Sequence, residues 1–235
     1  MSSAQKIQIL YFTDILCVWA YLEQIRIDEL KSKFDLKVDL DYHFIPIFGS
    51  VKTKMKNDWE SKGGVKAYSE FVNKISEKFD HIEIHPDIWV KNTPTTSINS
   101  HVFLKAIQIL EKNCELSLDK CVYDSGRSVF ETAMWKIRSA FFKNLVDVSN
   151  NARLLEIGEE LNLPVHKIQA LINNGEAQAA VNDDLMLMRN HDVKGSPTLV
   201  FNEGRQVIYG NVGYKVIEAN IEELLRVSDD AASWC

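Results

Sequence analysis

Hydrophobic and polar positions along this chain change period twice. Ile7-Gln8-Ile9-Leu10-Tyr11-Phe12 is a β-branched and aromatic run that reads as a strand, and Thr13-Asp14 breaks it. From Val18 to about Lys33 the apolar residues Tyr21, Leu22, Ile25 and Leu30 recur at helical spacing. Leu36 to Ile45 then alternates (Leu36, Val38, Leu40, Tyr42, Phe44) and stops at Pro46, which predicts a second strand. Strand, helix, strand in this order implies a parallel pair joined by a right-handed crossover.

The middle of the chain reads differently. Ala67–Phe79, Ser97–Lys112, Ser128–Lys143, Ala152–Leu161 and Ala177–Arg189 have helical spacing, with breaks at Pro94, Gly126, Pro164 and Gly175. Pro164 suits the first turn of a further helix. Strands return at Thr198–Phe201 and Gln206–Tyr209, joined by the turn Asn202-Glu203-Gly204-Arg205, and a last helix runs from Lys215 to about Val227. The pattern predicts a sheet domain with a helical bundle inserted in it. The expected boundaries are 1–50 and 192–228 for the sheet core, 51–191 for the insertion and 229–235 for a frayed tail.

Composition narrows the function. A formal charge of −6 on 235 residues disfavours nucleic acid and an anionic membrane surface as partners. No apolar run reaches the roughly 18 residues of a membrane span, and the start of the chain lacks a secretory pattern. Four Cys are too few for a disulfide framework in a chain of this length, so reduced thiols and a cytoplasmic location are expected.

Candidate chemistry centres on Cys17. It stands at the junction of the first strand and first helix, in Leu16-Cys17-Val18-Trp19-Ala20. A Cys three residues before a second Cys at such a junction is a dithiol redox motif, but here Ala20 holds the second position. Helix-start amides favour an anion, which predicts a lowered thiol pKa at Cys17. A buried, inert Cys is the alternative. The second element is Gly195-Ser196-Pro197-Thr198, just before the third strand. A cis Pro197 would turn the Ser196 backbone outward toward a ligand; an ordinary trans loop Pro is the alternative.

Three longer stretches carry a family resemblance. They are Tyr11 to Leu22 around Cys17, the helical segment containing Ala140-Phe141-Phe142-Lys143, and Val193-Lys194-Gly195-Ser196-Pro197-Thr198-Leu199-Val200-Phe201. In this order they resemble the DsbA-like branch of the thioredoxin superfamily, nearest to FrnE-like members. That branch also holds 2-hydroxychromene-2-carboxylate isomerases and kappa-class glutathione transferases. The resemblance implies an α/β thioredoxin fold with a large all-helical insertion between its βαβ and ββα halves, a nucleophilic Cys17 and a cis peptide at Pro197. Dithiol members carry a Cys-Pro-Trp-Cys-like motif, whereas Val18 and Ala20 stand here at the Pro and second Cys positions. Isomerase and kappa-class members usually have Ser where this chain has Cys17.

The expected activity is thiol–disulfide exchange through one cysteine, with glutathione as co-substrate and no tightly bound cofactor. Expected partners are glutathione and a disulfide-containing or small apolar substrate, and a homodimer is open. Trp19 would shield the thiolate, Thr13 and Asp14 would tune it, and Ser196, Pro197 and, by loose analogy, Asn211 would contact substrate or glutathione. The alternatives are a glutathione-dependent transferase or isomerase, and a non-catalytic binding module. In the transferase or isomerase alternative Trp59, Phe71, Trp89, Phe103 and Trp135 would line an apolar pocket, although core packing is the plainer role. Cys114 and Cys121, seven positions apart, are expected to be unrelated buried residues, and Cys235 to be mobile. His81 and His85 have metal-ligand spacing but no third ligand nearby, so no metal is expected. Asp183-Asp184 is expected on a solvated helix face.

Overall fold

The computed structural model describes residues 6–118, 121–124 and 126–226. The expected Cys235 and the 229–235 tail lie outside these residues. Strand β1 (Ile7–Thr13) is followed by helix α1 (Val18–Phe34) and strand β2 (Val38–Phe44). Strands β3 (Thr198–Phe201) and β4 (Gln206–Tyr209) and helix α9 (Tyr214–Leu225) close the chain. The sheet order is β2-β1-β3-β4, parallel between β1 and β2 and antiparallel elsewhere. Between β2 and β3 run α2 (Val51–Trp59), α3 (Gly64–Ser76), α4 (Ile98–Lys112), α5 (Val129–Phe142), α6 (Asn151–Glu160), α7 (Val165–Asn173) and α8 (Glu176–Asn190). This is a thioredoxin fold with a helical insertion.

The period of two in β1 sorts its side chains between two cores. Ile7, Ile9 and Tyr11 enter the large cluster shared with α1, α9 and the helical layer, while Phe12 packs with Ile45, Val193 and Val200 on the other face. Helix α4 lies inside the helical layer against α5, α6, α7 and α8. Helix α5 opens with a capping box in which Ser128 and Glu131 satisfy each other's exposed amides. Glu131 also accepts the Tyr42 hydroxyl at 2.7 Å, tying the insertion to β2.

Several expectations change. Helix α2 was not evident in the pattern because only Val51 and Met55 of its nine residues are buried; Ser50 caps it instead. Ile82-Glu83-Ile84, which alternates like a strand, pairs with no strand. It packs Ile82 and Ile84 on the core while the His85 amide donates to the Phe142 carbonyl at 2.8 Å. Asp184 is not solvated. It is buried against β2, taking the Phe44 amide at 2.7 Å, Lys105 Nζ at 2.9 Å and His43 Nδ1 at 2.7 Å, while Asp183 is exposed. Cys114 is exposed rather than buried, and Cys121 is buried with its thiol 3.8 Å from the Asn162 carbonyl.

Candidate functional site

Cys17 is the N-cap of α1, as a short strand feeding a helix requires. Its thiol faces the loop before β3, donating to the Ser196 carbonyl at 3.2 Å. The Ser196–Pro197 peptide is cis. The two loops are laced together: the Asp14 amide donates to Ser196 Oγ at 2.9 Å, and Thr198 Oγ1 donates to the Gly195 carbonyl at 2.7 Å. Gly195 lies under the Tyr209 ring, whose outer edge a Cβ there would approach to 2.9 Å. The Gly210 amide donates to the Pro197 carbonyl at 2.9 Å, which completes the loop.

Asp14 organises the turn into Cys17. Its fully buried carboxylate accepts the Leu16 amide at 2.8 Å, the Phe48 amide at 2.9 Å and the Ser97 hydroxyl at 2.8 Å. The Ile15 amide donates to His101 Nε2 at 3.2 Å. The turn before the thiol is therefore held by Ser97 and His101, at the start of α4 in the insertion. Arg138 of α5 does the same one residue earlier. Fully buried, it donates to Thr13 Oγ1 at 2.6 Å and to Gln24 of α1 at 2.8 Å.

The thiol does not have the lowered pKa that a helix start alone predicts. Cys17 is only 5 % exposed, and burial pushes its thiol above the ordinary value. The Ser196 side chain and the Ala20 and Trp19 amides oppose this, and the Asp14 charge adds to it. Desolvation exceeds the benefit of the helix terminus because the sulfur is covered on nearly all sides. The same charges are felt by Tyr68 of α3. Burial raises its hydroxyl pKa first, followed by Cys17 and Asp14, which places α3 beside the thiol.

Other expected site residues separate into two groups. Val18 and Ala20 are buried, and Ala20 places a methyl group where a second thiol would stand. Trp19 is 36 % exposed and meets the half-open Phe71 edge-on at 6.5 Å. Asn211 ties the segment after β4 to α1, accepting from Arg26 and donating to the Trp19 carbonyl at 3.1 Å. Of the aromatic residues expected to line a pocket, Trp89 and Phe103 are core, whereas Trp59 and Phe71 reach the surface and touch at 5.1 Å. Trp135 packs on Tyr21 at 5.0 Å. His81 Nε2 lies 3.0 Å from the Leu22 carbonyl, and His85 Nδ1 accepts the Asp87 amide at 3.1 Å.

Sequence reasoning passed over Ser97, His101, Arg138 and Glu23. A signal existed for the first two. Ser97, His101, Lys105 and Gln108 follow helical spacing through an otherwise apolar helix, and a polar stripe on a buried face must find buried partners.

The chain matches the family model of the DSBA-like thioredoxin domain over residues 8–222. No curated protein matches it in sequence. It is similar in structure to the cytosolic disulfide reductase DsbM from Pseudomonas aeruginosa, solved with GSH (TM-score 0.64, 18% identity, 94% of this chain and 100% of that one). A 2-hydroxychromene-2-carboxylate isomerase is similar too (TM-score 0.63, 13% identity, 96% and 100%). So is a thioredoxin-like oxidoreductase from Silicibacter pomeroyi (TM-score 0.56, 13% identity, 94% and 87%). Among the described residues no helix is long and apolar enough to cross a membrane.

Proposed function

Because the chain belongs to the DSBA-like thioredoxin family, we propose that it is a cytoplasmic thiol–disulfide oxidoreductase that works through Cys17 alone, with glutathione completing the cycle. The observation that carries this reading is the Cys17 sulfur set 3.2 Å from the Ser196 carbonyl beside the cis Pro197, with Ala20 in place of a resolving thiol. The similar disulfide reductase solved with GSH supports glutathione as the co-substrate.

In the forward step Cys17 loses its proton and the thiolate attacks the glutathione sulfur of a mixed disulfide R–S–S–G. One S–S bond breaks, a Cys17–S–S–G bond forms, and RS⁻ leaves and takes up a proton. A second glutathione, as thiolate, attacks the Cys17-bound glutathionyl sulfur. This releases oxidised glutathione and the Cys17 thiolate; the sum is R–S–S–G + GSH → R–SH + GS–SG, in which one free glutathione is consumed and the other half of the oxidised glutathione is the glutathionyl group taken from the substrate. The Ser196 side chain and the Ala20 and Trp19 amides favour the thiolate in both steps, as they do in the resting site. The Ser196 carbonyl accepts the thiol in the resting enzyme and is freed when the proton leaves.

Reduction of a glutathionylated peptide by the purified protein with glutathione tests the reading, with Cys17→Ser alongside and intact-mass analysis of the protein. A transient glutathione adduct on Cys17, with activity lost in the variant, is the expected result. Turnover that survives Cys17→Ser refutes a Cys17 mechanism; if that variant also conjugates glutathione to an electrophile, the transferase reading replaces it. A protein that never acquires an adduct and never turns over is a binding module.

A further inference from the structure

Aromatic and basic groups meet on one side of Cys17. Trp19, two residues beyond the thiol, contacts Phe71 at 6.5 Å; Phe71 contacts Trp59 at 5.1 Å; and Lys62 Nζ lies 4.9 Å from the centre of the Trp59 ring. These contacts run without a break from α1 to the tip of the α2–α3 hairpin. Trp19 and Phe71 are more than a third exposed, and Trp59 is half-buried.

The charge there is opposite to that of the molecule. Residues 51–78 contain seven lysines and four carboxylates, a net of +3 in a chain of −6. Across the described residues most lysines are paired with a carboxylate. Eight are not. Lys6 and Lys37 are two of these; the other six are Lys52, Lys56, Lys62, Lys66, Lys74 and Lys78, all on or beside α2 and α3 and all exposed. Helix geometry sets three of them around the rings. Lys56 is one turn before Trp59, Lys74 is one turn after Phe71, and Lys62 touches Trp59. An acidic protein that neutralises most of its other lysines locally but leaves these six open together presents a positive field beside its reactive site.

We infer that the α2–α3 hairpin is a docking surface for an acidic polypeptide, which brings a disulfide flanked by Asp or Glu and an aromatic or aliphatic residue to Cys17. The lysines draw in the carboxylates and set the encounter rate, and the Trp19–Phe71–Trp59 ledge takes the apolar side chain. Charge complementarity selects this occupant. The proposal rests on Cys17 acting on disulfides, and the first part of its test does not use the thiol.

Redox-inert peptides with Ala in place of Cys, carrying an aromatic residue between either Glu or Lys flanks, are titrated into the full-length protein and followed by fluorescence anisotropy. The acidic peptide should bind roughly tenfold or more tightly than its basic counterpart at low salt, and the difference should shrink as salt is added. The triple variant Lys56→Gln, Lys62→Gln, Lys74→Gln should abolish the difference. It should leave unchanged the rate at which Cys17 reacts with a small neutral aromatic disulfide, which shows that fold and thiol are intact. With Cys-containing versions of the peptides, exchange rates should follow the same order. Equal binding of the two peptides, a preference that survives the triple variant, or tighter binding to anionic phospholipid vesicles than to the acidic peptide would overturn the inference. Charge-selective binding without any exchange would leave this surface standing and overturn the proposed activity instead.

Discussion

Replacing Glu23 by Gln should remove a pH-dependent cost of folding. Glu23 lies three residues beyond Ala20 on α1, on the side turned to β1, and is 1 % exposed, with Oε2 lacking a hydrogen-bond partner. Burial raises its carboxyl pKa from 4.5 to about 8, against the Tyr11 hydroxyl, Arg26 and Arg138, which pull it down only in part. The folded value is above the unfolded one, so the fold accommodates the protonated acid. Its contribution is fully present below 4.5 and is lost as pH rises through about 8. The whole span corresponds to about 5 kcal/mol, of which about 3 kcal/mol has accumulated by pH 7. Gln has nearly the shape of the protonated acid and cannot ionise. Urea unfolding of the two proteins over a pH series should therefore give similar stabilities near pH 4.5. The difference should then widen in favour of Glu23→Gln to about 3 kcal/mol at pH 7 and level off above pH 8. Cys17 and the buried tyrosines titrate in both proteins and cancel in the difference. Parallel curves across the series would refute the argument, because they would mean that the carboxyl ionises in the fold as easily as in the unfolded chain.

Three other predictions concern the site. Because burial holds the Cys17 thiol above its ordinary pKa, alkylation by iodoacetamide should be slow at neutral pH and should still be rising where an exposed cysteine has reached its plateau; a plateau below pH 8 would contradict the burial. Gly195→Ala should cost less than about 1 kcal/mol in thermal or urea unfolding, since its Cβ meets only the outer edge of the exposed Tyr209 ring, which can swing aside, and a larger loss that disappears in a Tyr209→Ala background would show that the ring is held in place. Asp14→Asn replaces one carboxylate oxygen with a donor, which then faces either the Leu16 amide at Oδ1 or the Phe48 amide and Ser97 hydroxyl at Oδ2. It should cost about 2–4 kcal/mol in unfolding, and an unchanged midpoint would show that these bonds contribute little.

Much of the fold was legible because its signals are local. The β-branched and aromatic runs of β1 and β3, the alternation of β2, the helical spacing of α1, α4, α5 and α8 and the Asn202–Gly204 turn are written within a few residues each. Helix α2 was missed because its stability comes from a cap and a narrow buried edge, which leave little periodic signal. Cys17 and the Ser196–Pro197 loop could be named in advance, since a strand end, a helix start and a Pro before a strand are readable features.

The sequence by itself determined the order of elements, the one-cysteine motif with Ala20 in the second position, and the basic character of residues 51–78 within an acidic chain. The tertiary structure decided the electrostatic state of the thiol. A helix start predicts a stabilised thiolate, but burial among side chains from distant segments sets the opposite direction. It also decided that Asp184 is a buried ion-pair partner, that Ser97, His101 and Arg138 reach across from the helical layer to hold the turn before Cys17, and that open lysines meet an aromatic ledge beside it. The physical reason is the same in each case. Desolvation and hydrogen bonding depend on which groups the fold brings within a few ångströms, and residues a hundred positions apart carry no local pattern that states their contact.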